Sequence, residues 1–198
     1  MNFLAAFFSF ALLAGSANAG ADNAQAEAFV KRITEQGIEQ IINANISQEV
    51  KDKRFEKLFN EALDLDFIGQ FVLGRYWRTA TKEQRQDFIN TYRELNIKTW
   101  SRRFDEFKDR KFAWHGTHES QTPNQVFVNS SVPMEKGEPV KVVWRVKTDG
   151  NKSKIIDIII ENVSLAISVR DEYTTFIKNN GGNVDALIKD LKAKIANM

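Results

Sequence analysis

Val140-Lys141-Val142-Val143-Trp144-Arg145-Val146-Lys147-Thr148-Asp149-Gly150-Asn151-Lys152-Ser153-Lys154-Ile155-Ile156-Asp157-Ile158-Ile159-Ile160 is the stretch that decides the fold. In its first half Val140, Val142, Trp144 and Val146 alternate with Lys141, Val143, Arg145 and Lys147. That is the period-two pattern of a strand with one buried and one polar face. Asp149-Gly150-Asn151 is a turn signal. Beyond it, Ile155 to Ile160 is apolar at every position but Asp157, which predicts a strand covered on both faces. Working backwards, Lys136-Gly137-Glu138 and Thr122-Pro123-Asn124 separate two more β-rich runs. Four strands are therefore expected, Lys111–Glu119, Gln125–Met134, Pro139–Thr148 and Lys154–Asn162, joined by short turns as an antiparallel meander.

Helical patterns stand on either side. Asn23 to about Asn45 reads as one helix and Gln48 to Phe59 as a second. Asp66 is placed to cap a third, Phe67 to Leu73, ended by Gly74. Thr81-Lys82-Glu83-Gln84 is a capping box that opens a long helix, Lys82 to about Lys108. Phe88, Tyr92 and Leu95 form one stripe of it; Ile89, Trp100, Phe104 and Phe107 form a neighbouring one. Together they cover nearly half the circumference, wider than one packing partner requires. The long helix is expected to pack on two elements, or on one element and a cavity. After the strands, Ser164 to Lys178 reads as a helix stopped by Gly181-Gly182, and Asn183 starts a last one with Val184, Leu187, Ile188, Leu191 and Ile195 on one face. The class is α+β: a four-stranded antiparallel sheet flanked by N-terminal and C-terminal helices.

The chain has 198 residues, and the first 19 carry no charged side chain. Phe3 to Ala14 is an apolar run too short to span a bilayer, and Ala17-Asn18-Ala19 is a small-x-small site before Gly20. Residues 1–19 are read as a signal peptide cleaved after Ala19, and residues 20–198 as a single domain, large enough to bury a core unaided. No Cys follows the cleavage site, so this is not a lipoprotein, and the lack of Cys anywhere excludes disulfides and thiolate chemistry. A periplasmic location fits. All 28 Lys/Arg and 26 Asp/Glu lie after the leader, a near balance that gives no field for nucleic acid.

Candidate chemistry is thin. His115 and His118 sit three apart, on opposite faces of a regular strand, so they are read as surface residues and no metal site is expected. Asp157 and Glu161 share a strand face roughly 13 Å apart, beyond the about 9.5 Å of a glycosidase pair. Asp157 is read as structural, with Arg170 or another cation as its partner. Ser164 and Ser168 have no elbow motif and no activating His, so no catalytic residue is assigned. Arg102, Arg103, Lys108, Arg110 and Lys111 suit a solvated helix end, or a patch for lipid headgroups or an acidic partner. After the leader the chain holds 11 Phe, 4 Trp and 3 Tyr. A core accounts for most of them; a very wide apolar helix face against the sheet adds a pocket reading.

Three separated blocks then become recognisable. Phe71-Val72-Leu73-Gly74-Arg75-Tyr76-Trp77-Arg78-Thr79-Ala80-Thr81-Lys82-Glu83-Gln84-Arg85, with Phe88 and Tyr92, resembles the MlaC (toluene-tolerance auxiliary) family. So does Asp157-Ile158-Ile159-Ile160-Glu161-Asn162-Val163-Ser164-Leu165 with Arg170, Tyr173 and Phe176, and so does Gly181-Gly182-Asn183-Val184-Asp185-Ala186-Leu187-Ile188. The chain departs from the family at Asn162, where Gly is usual, at Ser153, where Trp is frequent, and at Lys82, where Pro is frequent. Asn tolerates positive φ better than other non-Gly residues, so the backbone at Asn162 is expected to be unchanged.

The resemblance implies a monomeric periplasmic carrier that encloses phospholipid acyl chains in an apolar cavity between sheet and helices. It implies passage between an outer-membrane lipoprotein complex and an inner-membrane ABC transporter with an MCE-domain protein, without catalysis and without a cofactor. Some relatives are linked to hopanoids instead. Burying roughly 30 methylenes at about 0.8 kcal/mol each gives about 24 kcal/mol relative to water, above the practical ceiling of about 18–21 kcal/mol. Measured against a membrane, where the tails are already dry, transfer is near neutral, and docking sets its direction. The side chains expected to line the slot are Phe71, Tyr76, Trp77, Phe88, Tyr92, Val142, Trp144, Ile158, Ile160 and Val169. Two other readings stay open: a small α+β enzyme using Asp157 or a Tyr inside an apolar cavity, and a scaffold with a solid core.

Overall fold

The computed structural model describes residues 16–103, 108–134 and 136–198. The leader as far as Gly15, Phe104 and Phe107 of the second stripe, and the side chains of Arg102 and Arg103 lie outside the described residues. The order is α1 (Ser16–Gly37), a π-helical turn (Ile38–Ile42), α2 (Gln48–Ala62), α3 (Leu65–Leu73), α4 (Tyr76–Thr79) and α5 (Lys82–Arg103). The strands follow as β1 (Ala113–Glu119), β2 (Gln125–Val132), β3 (Val140–Asp149), β4 (Lys152–Ile160) and β5 (Val163–Ser164), and the chain closes with α6 (Leu165–Asn179) and α7 (Val184–Ala196).

The sheet is an antiparallel meander in the order β1-β2-β3-β4-β5. It has five strands, not the four expected. The expected last strand ran through Asn162; instead Glu161 (φ +47°) and Asn162 (φ +67°) turn the chain back, so that Ile160 pairs with Val163 and Ile159 with Ser164. Two consecutive positive φ values are what a two-residue hairpin turn requires. The substitution of Asn for the usual Gly thus leaves a left-handed residue in place. Glu161 leaves the strand with it, and no longer shares a face with Asp157.

Capping chemistry sets the helix ends. Asp64, rather than Asp66, caps α3 by accepting the Phe67 N–H, because the link before it is pinned to the sheet: Leu63 bridges to Ile155, and the Asp64 N–H donates to the Ile155 carbonyl. The capping box at α5 is present in both directions, Gln84 N–H to Thr81 Oγ1 at 3.1 Å and Thr81 N–H to Gln84 Oε1 at 3.0 Å. α1 ends at Gly37, eight residues before Asn45, and gives way to a wider turn closed by the Asn43 N–H on the Ile38 carbonyl. α2 runs past Phe59 to Ala62, where Lys154 donates to the carbonyls of Asn60 and Glu61.

Two apolar clusters result. The first joins Ala26, Val30 and Ile33 of α1 to Val126, Val128, Val146 and Ile155 of the sheet. The second is helical, drawn from α3, α4, α5, α6 and α7, with Phe88, Leu73, Ile177 and Leu191 at its centre. Leu63 packs against both. The long helix α5 makes close approaches to α7, α2 and α3, which accounts for the width of its apolar face. All five expected apolar positions of α7 are buried.

Candidate functional site

Strand pairing puts Val142, Trp144, Ile158 and Ile160 on one face of the sheet: Val142 opposes Ile160 and Trp144 opposes Ile158. The same face carries Val126, Val128 and Val146, which lie against α1 with 3% exposure or less. Cover along the face is uneven: Ile155, Ile156 and, at the far end, Val142 are buried, whereas Trp144, Ile158 and Ile160 are half-buried, the first two packed against the α1 cluster. This corrects the expectation that the whole Ile155–Ile160 run is covered on both sides. The C-terminal half of α5 behaves alike: Leu95 through Ser101 are all half-buried, with no face fully packed. A helix laid on a solid core would alternate between buried and exposed sides.

The other six expected residues belong to the helical cluster. Phe88 is wholly buried, stacked on Tyr92 at 5.8 Å and edge-on to Tyr173 at 6.0 Å. Tyr76 is buried and its hydroxyl accepts from Arg75. Phe71 and Val169 are half-buried, and the Arg170 guanidinium lies over the Phe71 ring at 4.9 Å. Trp77 turns outward. It lines a surface cleft of about 480 Å³ with Phe67, Ile89, Arg85 and Lys147, under the Arg85 guanidinium. The ten residues therefore fall into two groups, four on one face of the sheet and six in the helical cluster.

Sequence reasoning missed Ser130, which is buried on the apolar face of the sheet. Its hydroxyl donates to the Val142 carbonyl at 2.8 Å and accepts the Trp144 indole N–H at 2.9 Å. A polar residue inside an alternating apolar run was the available signal. Asp157 is buried, yet Arg170 is not its partner. Asp157 accepts from the Ser164 hydroxyl and from the Ala166 N–H, so it holds the N-terminus of α6. A carboxylate there opposes the positive end of a helix dipole and needs no cation. Burial pushes the Tyr92 phenol up to about 12 and raises that of Tyr173 as well. Such groups stay protonated at neutral pH, and Asp157 is committed to a cap.

The histidines also differ from expectation. A bulge between Trp114 and Thr117, with Gly116 at φ +77°, shifts the parity of β1. His115 then meets Ser131 and His118 meets Asn129, two positions apart on β2, so both rings share the outer face. Among the described residues no group of three or more His, Asp or Glu is placed to hold a metal ion, and no helix is long and apolar enough to cross a membrane.

Residues 31–193 of the chain match a family model described as MlaC protein. The chain belongs to the MlaC family. It is 23% identical over 159 residues to the intermembrane phospholipid transport system binding protein MlaC of Haemophilus influenzae, covering 76% of this chain and 73% of that one. Its fold matches a phospholipid-binding protein from Ralstonia solanacearum, solved in complex with a phospholipid. The TM-score is 0.75 at 24% identity, over 87% of this chain and 97% of that one. The MlaC resemblance drawn from the three sequence blocks is thus shown.

Proposed function

We propose that the chain is a periplasmic phospholipid carrier of an intermembrane transport system. Exported behind residues 1–19 and cleaved after Ala19, it shuttles lipid as a monomer between an outer-membrane lipoprotein complex and an inner-membrane ABC transporter with an MCE-domain protein. It makes and breaks no bonds. The acyl chains lie against the sheet residues Val142, Trp144, Ile158 and Ile160, and the helical residues Phe71, Val169, Phe88, Tyr76 and Tyr92 complete the site.

The observation that carries this reading is the half-burial of Trp144, Ile158 and Ile160, large apolar side chains on the inner face of the sheet. Large apolar side chains left partly uncovered on an inner face provide a dry wall for a ligand. The family and the phospholipid in the related structure supply the ligand class. Extraction of the purified protein followed by mass spectrometry tests it, with co-purifying phospholipid expected. A protein that is always lipid-free, and that takes up no lipid from vesicles, overturns it; a hopanoid in the extract moves the assignment to that lipid.

A further inference from the structure

Val132 (3% exposed) and Val142 (7%) are buried at the far end of the inner face, yet neither belongs to the two apolar clusters. The α1 cluster closes the other end, over Val126, Val146 and Ile155. Among the described residues, aromatic rings stand at the far end. Trp114 pairs with Ser130 and Ser130 with Val142, which places Trp114 on the inner face. Ala113 pairs with Ser131, so Phe112, one residue earlier, comes level with Val132. The half-buried Phe112 ring stacks on Trp114 at 5.8 Å and lies tilted against Trp144 at 5.9 Å. Phe112 precedes β1, and its segment is tied to the end of β2, where Arg110 donates to the Pro133 carbonyl at 2.7 Å. Two polar groups at this end already have partners. The Ser130 hydroxyl lies between the Val142 carbonyl and the Trp144 indole, and Lys31, over the Trp114 ring, pairs with Glu27 at 2.7 Å.

We infer that the Phe112 ring is an end stop in the lipid slot and sets the length of acyl chain that the protein accepts. This rests on the carrier reading, which leaves chain length open. Trp144 is half-buried, so a chain lying on the inner face reaches it, and the Phe112 ring occupies the next position along that face. An aromatic ring is rigid, and protein interiors are packed too closely to absorb extra methylenes without strain. A chain too long for the space is pushed back toward water. A single methylene more or less in an apolar pocket discriminates by about tenfold or more. An aromatic end whose polar groups are satisfied suits the methyl terminus of a chain rather than a phosphate, which it would leave desolvated and unpaired.

The test is competitive uptake. Protein purified from cells is incubated with vesicles holding equal amounts of phosphatidylcholines whose monounsaturated chains are graded from myristoleoyl to eicosenoyl. It is then re-isolated, and the bound lipids are read by mass spectrometry. Phe112→Ala is expected to raise the ratio of longest to shortest bound chain by about tenfold or more, and Phe112→Trp to lower it. Phe112→Leu keeps an apolar cover and should shift the ratio less, in the direction of Phe112→Ala. The control is Phe127→Ala, which removes a ring stacked on His118 at 4.8 Å on the outer face and should leave the ratio unchanged. Circular dichroism shows that each variant is folded. Bound lipid with the same chain profile in wild type and all three Phe112 variants overturns the stop and leaves the carrier standing. A shift in Phe127→Ala as large as that in Phe112→Ala also overturns the stop, since any lost ring would then loosen the slot. No lipid uptake by the wild type overturns the carrier, and the stop falls with it.

Discussion

The indole N–H of Trp144 donates to the hydroxyl of Ser130 at 2.9 Å, across two neighbouring strands. The hydroxyl passes its own proton to the Val142 carbonyl. One buried polar atom therefore fixes the largest side chain of the sheet wall. Ser130→Ala leaves the indole N–H without this partner, at a cost of about 1–3 kcal/mol. Urea denaturation should show that loss, and the Trp144 indole proton should shift or broaden in an NMR spectrum. An unchanged indole resonance would mean that packing alone orients the ring.

Asp157 carries two donors at the start of α6, one of them the hydroxyl that itself caps Ile167. Asp157→Ala is expected to destabilise by about 2–4 kcal/mol, the range for a buried charged acceptor whose donors are left bare. Ser164→Ala alone should cost about 1 kcal/mol. Because the two act on one helix end, the double variant should lose less than the sum of the two losses. Strict additivity in a double-mutant cycle would count against a shared cap.

Gly74 ends α3 at φ +55°, ψ −126°, and a Cβ built there would meet Arg170 Nε at 3.2 Å. That backbone region belongs to Gly, and the guanidinium above it is held on the Phe71 ring. Gly74→Ala is expected to lower stability by about 2 kcal/mol or more. Adding Arg170→Ala should return only the steric part. Full recovery in the double variant would show that the backbone itself is unstrained.

The Tyr92 phenol makes stability depend on pH in the alkaline range. The unfolded chain ionises near 10, the buried phenol near 12. Below pH 10 both states are protonated and the stabilisation is complete. Between 10 and 12 the unfolded chain releases a proton that the folded one keeps, so stability falls as pH rises, by about 3 kcal/mol at most. Tyr173 acts in the same direction. Tyr92→Phe should flatten the fall without abolishing it. Identical pH slopes for wild type and variant would rule out Tyr92 as a source.

Much of the fold could be read from side-chain periodicity, because Val140–Val146 and Val184–Ile195 each answer to one packed face. The capping box at Thr81 and Gln84 was legible for a similar reason: it needs only four consecutive residues. Features set by contacts distant in sequence were not. Asp64 outcompetes Asp66 because Leu63 bridges to Ile155, ninety-two positions away. The Gly116 bulge reverses the parity of His118, and no local pattern announces an extra residue in a strand. The parity chosen for Val142, Trp144, Ile158 and Ile160 agrees with the ladder, since a period of two has only two phases. The division of the ten expected residues between the sheet and the helical cluster was hidden, because Phe88 and Ile158 are equally apolar in a sequence and differ only in what covers them.

That difference supplies the sharpest test of the sheet wall. Ile158 is half-buried at the margin of the α1 cluster, whereas Phe88 has no exposure at all. Replacing Phe88 by Ala removes a ring from a closed cluster and should cost about 3–5 kcal/mol in stability. Replacing Ile158 by Asp puts a charge where an acyl chain would lie. A half-buried site can hydrate that charge, so the free protein should lose less than Phe88→Ala does. A bound chain would shut the water out, so lipid content should drop sharply in Ile158→Asp and persist in whatever folded fraction of Phe88→Ala survives. Thermal unfolding and lipid extraction on the same preparations separate the two effects. Equal lipid content in Ile158→Asp and wild type would remove Ile158 from the wall, and with it the argument from half-burial.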